Sequence, residues 1–495
     1  MKKILLSIVL LVVMLASIAC SGGNNNVSNL KKFEIPENGF DMSKQIEITF
    51  STTMGKNLMP VLEKHIAQFN KLYPNITVTV DNPGGYDDVR DEINKQLTVG
   101  DHPSIAYCYP DHVATYNIAG AVVTLDDLIA SQIEITRADG STEILGLTEQ
   151  QKGDFIKSYY DEGKQFGDGK MYTLPMSKST EVLYYNKTFF DANNLQVPDH
   201  WWCDERCEAD CKTSMEYVCG EIKKIAPTST PLGYDSDSNW FITMCEQMKS
   251  GYTQVAENPE DRFLFNTPTN RAFIKKFHEW YQEKGYVTTQ SLYGSYTSAL
   301  FVGSDAKDPT KRSYMTIGSS AGASHQVPAK NSDGSYPFQV GIAPIPQYDQ
   351  NNAKVISQGP SLCLFNKKDP QEVLAAWLFM KYLTTTLSFQ AEFSFTSGYV
   401  PVLSTVAEDP TYKNDFLDKA NGDSFLAATS AKMCLEQKDN YFTSPAFDGS
   451  STARDQVGLI IKNCLAENVS GTALDNFIKT KFQEAIDDCI YQSSK

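Results

Sequence analysis

The chain has 495 residues, and 44 Lys and Arg against 60 Asp and Glu give a formal net charge of −16. That balance excludes a sequence-independent nucleic-acid binder, which needs clustered Lys and Arg against phosphates, although one pocket can hold a potential opposite to that of the whole surface. The 25 Tyr, 26 Phe and 5 Trp are enough to fill large cores and still line a cleft with rings.

Lys2 and Lys3 precede an apolar run from Ile4 to Ile18 that is short for a bilayer span and leads directly into small residues and a cysteine. This is the pattern of a secretory signal over residues 1–19. The tetrad Ser17-Ile18-Ala19-Cys20 resembles a bacterial lipobox, whose cysteine becomes the lipidated first residue, with Ser17 where that pattern prefers Leu. Residues 20–44 are then the lipidated cysteine and a flexible tether, the stretch Ser21 to Asn29 being polar and without periodicity. The expected location is the cell envelope, lipid-anchored in the periplasm or on the outer face of the cytoplasmic membrane. The body beyond residue 44 is too long for one hydrophobic core, so two or three units are expected.

Gln45 to Phe50 alternates as a strand does, and Leu58 to Leu72 carries Leu58, Val61, Leu62, Ile66 and Phe69 at helical spacing. Ile76 to Val80 is a second strand, Asp87 to Val99 a helix and Ser104 to Tyr107 a third strand. Strand-helix-strand-helix-strand implies a parallel sheet covered by helices, with ligands at the carboxyl ends of its strands. The loops Ser51-Thr52-Thr53, Gly84-Gly85-Tyr86 and Tyr109-Pro110-Asp111 follow those ends. Further on, Val182 to Tyr185 and Tyr314 to Ile317 read as strands, and Asn270 to Gly285 and Gln371 to Leu383 as amphipathic helices, Trp377 falling on the buried stripe of the last.

Without Cys20, ten cysteines remain, an even number compatible with disulfides in an exported chain. Cys203, Cys207, Cys211 and Cys219 would share one face of a helix. The C-x2-C spacing of zinc sites is absent and no histidine is counted with the group, so disulfides, within it or to Cys245, are expected and no metal.

Two segments carry a resemblance. Gly169-Lys170-Met171-Tyr172-Thr173-Leu174-Pro175, followed by Ser179-Thr180-Glu181-Val182-Leu183-Tyr184-Tyr185-Asn186-Lys187, resembles the hinge-crossing signature of extracellular solute-binding proteins of the sugar-binding ABC importer class. The run from Ile356-Ser357-Gln358-Gly359 through Ala375-Ala376-Trp377 to Thr396-Ser397-Gly398-Tyr399-Val400-Pro401-Val402 is similar to a second signature. The resemblance implies an α/β, periplasmic-binding-protein-like fold of two α/β lobes joined by hinge strands. It places lobe 1 at 45–176 and 360–398 and lobe 2 at 177–359 and 399–495. It further implies a monomeric binding protein with no catalytic residue and no cofactor, which captures a sugar, a polyol or one of their phosphates. Its partners would be an ABC permease and its ATPase subunits. Peptide or metal cargo is the alternative within transport, and a surface interaction protein the alternative outside it.

Within the family the pattern is most like the glycerol-3-phosphate-binding branch. That likeness puts ligand contacts at Tyr86, Ser179, Ser319 or Ser320, Gly359, Tyr399 and Arg454, with Trp240 stacking near the site. Tyr109 stands where that branch has a glutamate. Tyr86, Trp240 and Tyr399 offer flat faces to a sugar, and Arg454 can engage two phosphate oxygens. Two competing readings have some support. Gly318-Ser319-Ser320-Ala321-Gly322 fits the G-x-S-x-G element of a serine hydrolase, though no Asp/Glu and His partners can be assigned to Ser320. Asp235-Ser236-Asp237-Ser238-Asn239 with Glu246 partly resembles a calcium loop, but Trp240 sits where such a loop needs Gly.

Overall fold

The computed structural model describes residues 30–208, 210–303, 311–418 and 425–493. The signal segment, Cys20 and the tether as far as Asn29 therefore lie outside the described residues. No helix among those described is long and apolar enough to cross a membrane.

The first lobe forms as the alternation in its sequence predicts. β1 (Ile46–Ser51) sends Ile46, Ile48 and Phe50 into the core. α1 (Met59–Leu72) has Pro60 in its first turn, where the missing N–H costs nothing, and buries Val61, Leu62 and Phe69. β2 (Ile76–Asp81), α2 (Tyr86–Val99) and β3 (Ile105–Cys108) follow. β1 lies between β2 and β3 and pairs in parallel with both, which requires helical crossovers of this length. The strand Ser361–Leu364 pairs antiparallel with β3, and Leu174–Pro175 pairs antiparallel with Ser361–Leu364 at the sheet edge. The helix Pro370–Thr385 packs on this sheet with Trp377 fully buried, its Nε1 donating to the Leu145 carbonyl at 2.8 Å.

The second sheet runs in the order Val340–Pro344, Glu181–Asn186, Met315–Ser319, Leu232–Tyr234, Val287–Thr289. Its last three strands are parallel, and Glu181–Asn186 is antiparallel to both neighbours. Its core includes Trp201, Trp240, Phe241, Phe277 and Trp280. The helix expected over 270–285 forms as an α-helix at Pro268–His278 and passes into a π turn at Glu279–Glu283.

The lobes are joined where residues 176–180, 357–360 and 398–401 run side by side. Ser179 and Gln358 exchange both backbone hydrogen bonds at 2.9 Å, and Lys178 and Val400 exchange theirs at 3.2 and 2.8 Å. Gly359 adopts φ +91° there, and a Cβ on it would fall 2.5 Å from the Ser177 carbonyl oxygen, so the close approach of the strands requires glycine. After this third crossing the chain does not stay with the second lobe, as the partition by resemblance has it. Val400, Val402, Leu403, Val406, Phe416 and Ala428 pack into the first core, and the helices Ser450–Ala466 and Gly471–Gln492 then return to the second.

The expected disulfides do not form. The cysteines from Cys108 to Cys489 are free thiols. Cys219 and Cys245 point into the second core from their helices, whereas Cys203, Cys207 and Cys211 lie in the surface loop before Met215 and not on a common helix.

Candidate functional site

The ends of the strands converge on the space between the lobes. In the second sheet Glu181 begins its strand opposite Ser319, which ends the neighbouring one, and Asp235 follows the end of the parallel strand Leu232–Tyr234. In the first lobe Tyr86 opens α2 and Tyr109 caps the helix after β3. Between them lies a cleft of about 780 Å³, a volume that suits a small solute.

Tyr86, Tyr109, Ser179, Ser319, Tyr399 and Arg454 all line this cleft. The rings of Tyr86 and Tyr109 are 4.5 Å apart, Tyr86 stacks on Tyr107 at 5.9 Å, and the Tyr86 hydroxyl lies 3.4 Å from that of Tyr399. Burial pushes the phenols of Tyr86, Tyr109 and Tyr399 up, so these hydroxyls stay neutral and able to donate. Ser319 Oγ donates to Ser179 Oγ at 3.5 Å, which brings a hydroxyl of a joining segment and one at a second-sheet strand end to one wall.

Three of the expected contacts lie off the lining. Trp240 is fully buried in the second core, stacked on Phe277 at 3.9 Å and on Tyr234 at 5.0 Å. It stands on the inward face of the helix Asp237–Met248, and that packing decides its place. Ser320 is buried, and its Oγ accepts from the Thr180 N–H. Burial keeps this hydroxyl off the cleft surface, where a serine hydrolase would need it, and the residues after it form a 3-10 turn over Ser320–Gln326. Gly359 contributes to the hinge contact described above. Of the loops at the strand ends, Ser51 and Thr52 are buried and do not reach the cleft.

The segment compared with a calcium loop is taken up by a helix. Ser236 caps that helix, which starts at Asp237. Asp235 accepts from the Thr297 N–H and hydroxyl at 2.6 and 2.7 Å, while Asp237 accepts from Thr289 and Ser291. The two carboxylates thus face different hydroxyl partners and do not share a centre.

Arg454 is held by a relay. Its Nη2 donates to Asn239 Oδ1, Asn239 Nδ2 donates to Glu181 Oε1 at 3.1 Å, and the Tyr234 hydroxyl donates to Glu181 Oε2 at 2.6 Å. Burial pushes the Glu181 carboxyl up to about 7, against the lowering effect of those two hydrogen bonds and of Arg454. Other acidic groups on the lining are also engaged. Glu162 pairs with buried Lys178, whose Nζ also donates to the Gly359 carbonyl and Ser361 Oγ at 3.2 Å.

Several lining residues are absent from the expected set: Arg90, Asp111, His112, Tyr252 and Asp455 among them. Arg90, on α2, contacts Asp87 and Asp91 locally and reaches Ser451 and Asp455 of the second lobe. Burial pushes the His112 imidazole down, and its Nδ1 has no hydrogen-bond partner among the described residues. Helix periodicity could place Arg90 and His112 on a surface, but not opposite the other lobe.

The model of a bacterial extracellular solute-binding protein family matches residues 64–418. The sn-glycerol-3-phosphate-binding periplasmic protein UgpB of Rhizobium meliloti (strain 1021) is 24% identical over 312 residues, a match covering 61% of this chain and 64% of that protein. The match thus spans less than two thirds of the relative's own length. Among solved structures, UgpB from Mycobacterium tuberculosis in complex with glycerophosphocholine superposes with a TM-score of 0.64 at 16% identity, covering 90% of this chain and 99% of that one. The GacH receptor of Streptomyces glaucescens, solved unliganded and with acarbose, gives 0.64 at 15% identity and covers 89% and 98%. At such identities the likeness shows the fold, two α/β lobes about a cleft.

Proposed function

Since the chain belongs to the bacterial extracellular solute-binding protein family, we propose that it captures a carbohydrate or glycerol-phosphate-type solute between its lobes and delivers it to an ABC permease. The carrying observation is the polar relay Glu181-Asn239-Arg454, which aims a guanidinium into a cleft lined by the hydroxyls of Tyr86, Tyr109 and Tyr399. Tyrosine faces suit the C–H surface of a sugar or polyol, and a planar guanidinium engages two oxygens of a phosphate. Ser179 and Ser319 supply further donors on the same wall. Ser320, whose hydroxyl serves Thr180, does not belong to this set.

Ligand contacts with both lobes favour the closed form, because only there are all of them made at once. The closed form is what a permease would read, and hydrolysis by the importer's ATPase subunits would power transport. In this reading the chain works as a monomer, held to the envelope membrane through lipidated Cys20. Replacing Cys20 with Ser tests the anchor: the protein should then leave the membrane fraction, and unchanged association would refute it.

The ligand reading is tested by a thermal-shift screen of the soluble body against neutral sugars, sugar phosphates and glycerophosphodiesters. A ligand at a hundredfold its Kd should add about 2.7 kcal/mol of stability. Stabilisation by none of these classes would turn the assignment toward a surface interaction protein.

A further inference from the structure

Away from the cleft, on the surface of the second lobe, four ligand-type side chains meet. His200 Nε2 lies 3.4 Å from the Sγ atoms of Cys207 and Cys211 and 3.6 Å from that of Cys203. All four ligand atoms fall within 4.8 Å of one another. We propose that His200, Cys203, Cys207 and Cys211 bind one zinc ion as a closed structural centre.

The geometry is that of a tetrahedron. Zinc bonds of about 2.3 Å to sulfur and about 2.0–2.1 Å to nitrogen imply N···S edges of roughly 3.6 Å and S···S edges of roughly 3.8 Å. The N···S distances already match, and the widest pair of ligand atoms has to close by no more than about 1 Å, within the reach of side-chain rotation. The histidine is oriented for the task. Its Nδ1 lies 2.6 Å from Asp199 Oδ1 and donates to it, which leaves the Nε2 lone pair facing the three sulfurs. A carboxylate behind the ring fixes the tautomer and raises the basicity of the ligand nitrogen.

Other support for the described part of the loop is sparse, namely the Arg206–Asp204 pair and Arg206 over the Tyr348 ring at 4.2 Å. The base of the loop is closed by the Asp199 N–H to the Thr213 carbonyl at 3.0 Å and the Met215 N–H to the His200 carbonyl at 2.7 Å. Trp201 is buried, but the described residues from Cys203 to Lys212 are exposed or half-buried and form neither helix nor strand. With so little apolar burial, a cross-link through metal is what orders such a segment. A disulfide serves less well. Three thiols leave one over, and the further partners Cys219 and Cys245 are sealed in the core. Four protein ligands leave no open position for a substrate, and none of the four lines the cleft, so the role is structural. The sequence alone conceals the site because its spacing is H-x2-C-x3-C-x3-C, without C-x2-C. The histidine omitted from the cysteine group is three residues before its first member.

Metal analysis of the full chain, purified under reducing conditions with zinc supplied, tests the proposal. One zinc per chain is expected, released when the thiols are modified. Cobalt in its place should give the intense d–d and thiolate charge-transfer absorption of a tetrahedral sulfur-rich site. Asp199→Asn, which leaves all four ligands in place, should weaken zinc binding about 10- to 100-fold, and Cys211→Ser should remove the cobalt charge-transfer band. Absence of stoichiometric zinc, an octahedral cobalt spectrum, or a disulfide that persists between two of the three cysteines would each overturn it.

Discussion

Arg90 Nη1, on α2 of the first lobe, donates to Ser451 Oγ at the start of the helix Ser450–Ala466 of the second, across 3.1 Å. The bond ties the two lobes together, so a separation of the lobes would break it, and the Asp455 carboxylate at 3.9 Å reinforces it. Arg90→Ala should therefore shift the free protein toward the open form, seen as a larger radius of gyration in small-angle scattering. Losing a charge-assisted hydrogen bond of about 1.5–3 kcal/mol should weaken ligand affinity by at least roughly tenfold. Unchanged scattering together with unchanged affinity would remove the latch.

Arg454→Ala should cost about 2–5 kcal/mol of binding to a phosphorylated ligand, the loss typical when one partner of a buried charge pair is taken away. Arg454→Lys should restore only part, because an ammonium cannot make the two-pronged contact. Calorimetry on the wild type and both variants decides it. Tight binding of an uncharged sugar, indifferent to the substitution, would sink the anionic assignment and leave solute capture standing.

Glu181 makes stability depend on pH in a calculable direction. Its carboxyl is pushed up to about 7 by burial, whereas in the unfolded chain it ionises near about 4.3. Between those values the native state holds a proton that the unfolded chain has lost, so stability falls as pH rises through this window and levels off above it. At about 1.4 kcal/mol per pH unit the change is on the order of 3 kcal/mol. Denaturant titrations at pH 5 and pH 8 should show the drop in the wild type and a smaller one in Glu181→Gln. An equal drop in both would assign it elsewhere.

Lys178 and Glu162 form an ion pair buried beside the hinge strands. Lys178→Met should destabilise the protein by about 3–5 kcal/mol, since it leaves a buried carboxylate without its partner. The double variant with Glu162→Gln should recover most of that, because no uncompensated charge remains. Urea melts of the three proteins measure the difference, and a double variant as unstable as the single would contradict this account.

Much of this molecule is set by short-range physics and was therefore legible. Alternation at Ile46, Ile48 and Phe50 and the helical spacing of Val61, Leu62 and Phe69 follow from periods of two and 3.6, which operate over a few residues. The joining segments at 176–180 and 357–360 could be found by resemblance because close strand pairing there demands particular residues, Gly359 among them. Helix N-termini and strand ends bring Tyr86, Tyr109 and Ser319 to the cleft, as a parallel sheet requires.

What only the tertiary structure decided involves partners distant in sequence or hidden by an unfamiliar spacing. Trp240 could face the ligand or the core; the stack with Tyr234 and Phe277 resolves it toward the core, since burying so large a ring removes more apolar surface from water than a polar cleft can cover. Arg90 carries no mark of the second lobe until α2 is set opposite Ser451. The three surface cysteines looked like one face of a helix with Cys219. An irregular loop turns them to His200 instead and leaves Cys219 in the core. Local pattern determines which elements form, whereas burial and charge partnership between elements, which no short window contains, determine what each side chain meets.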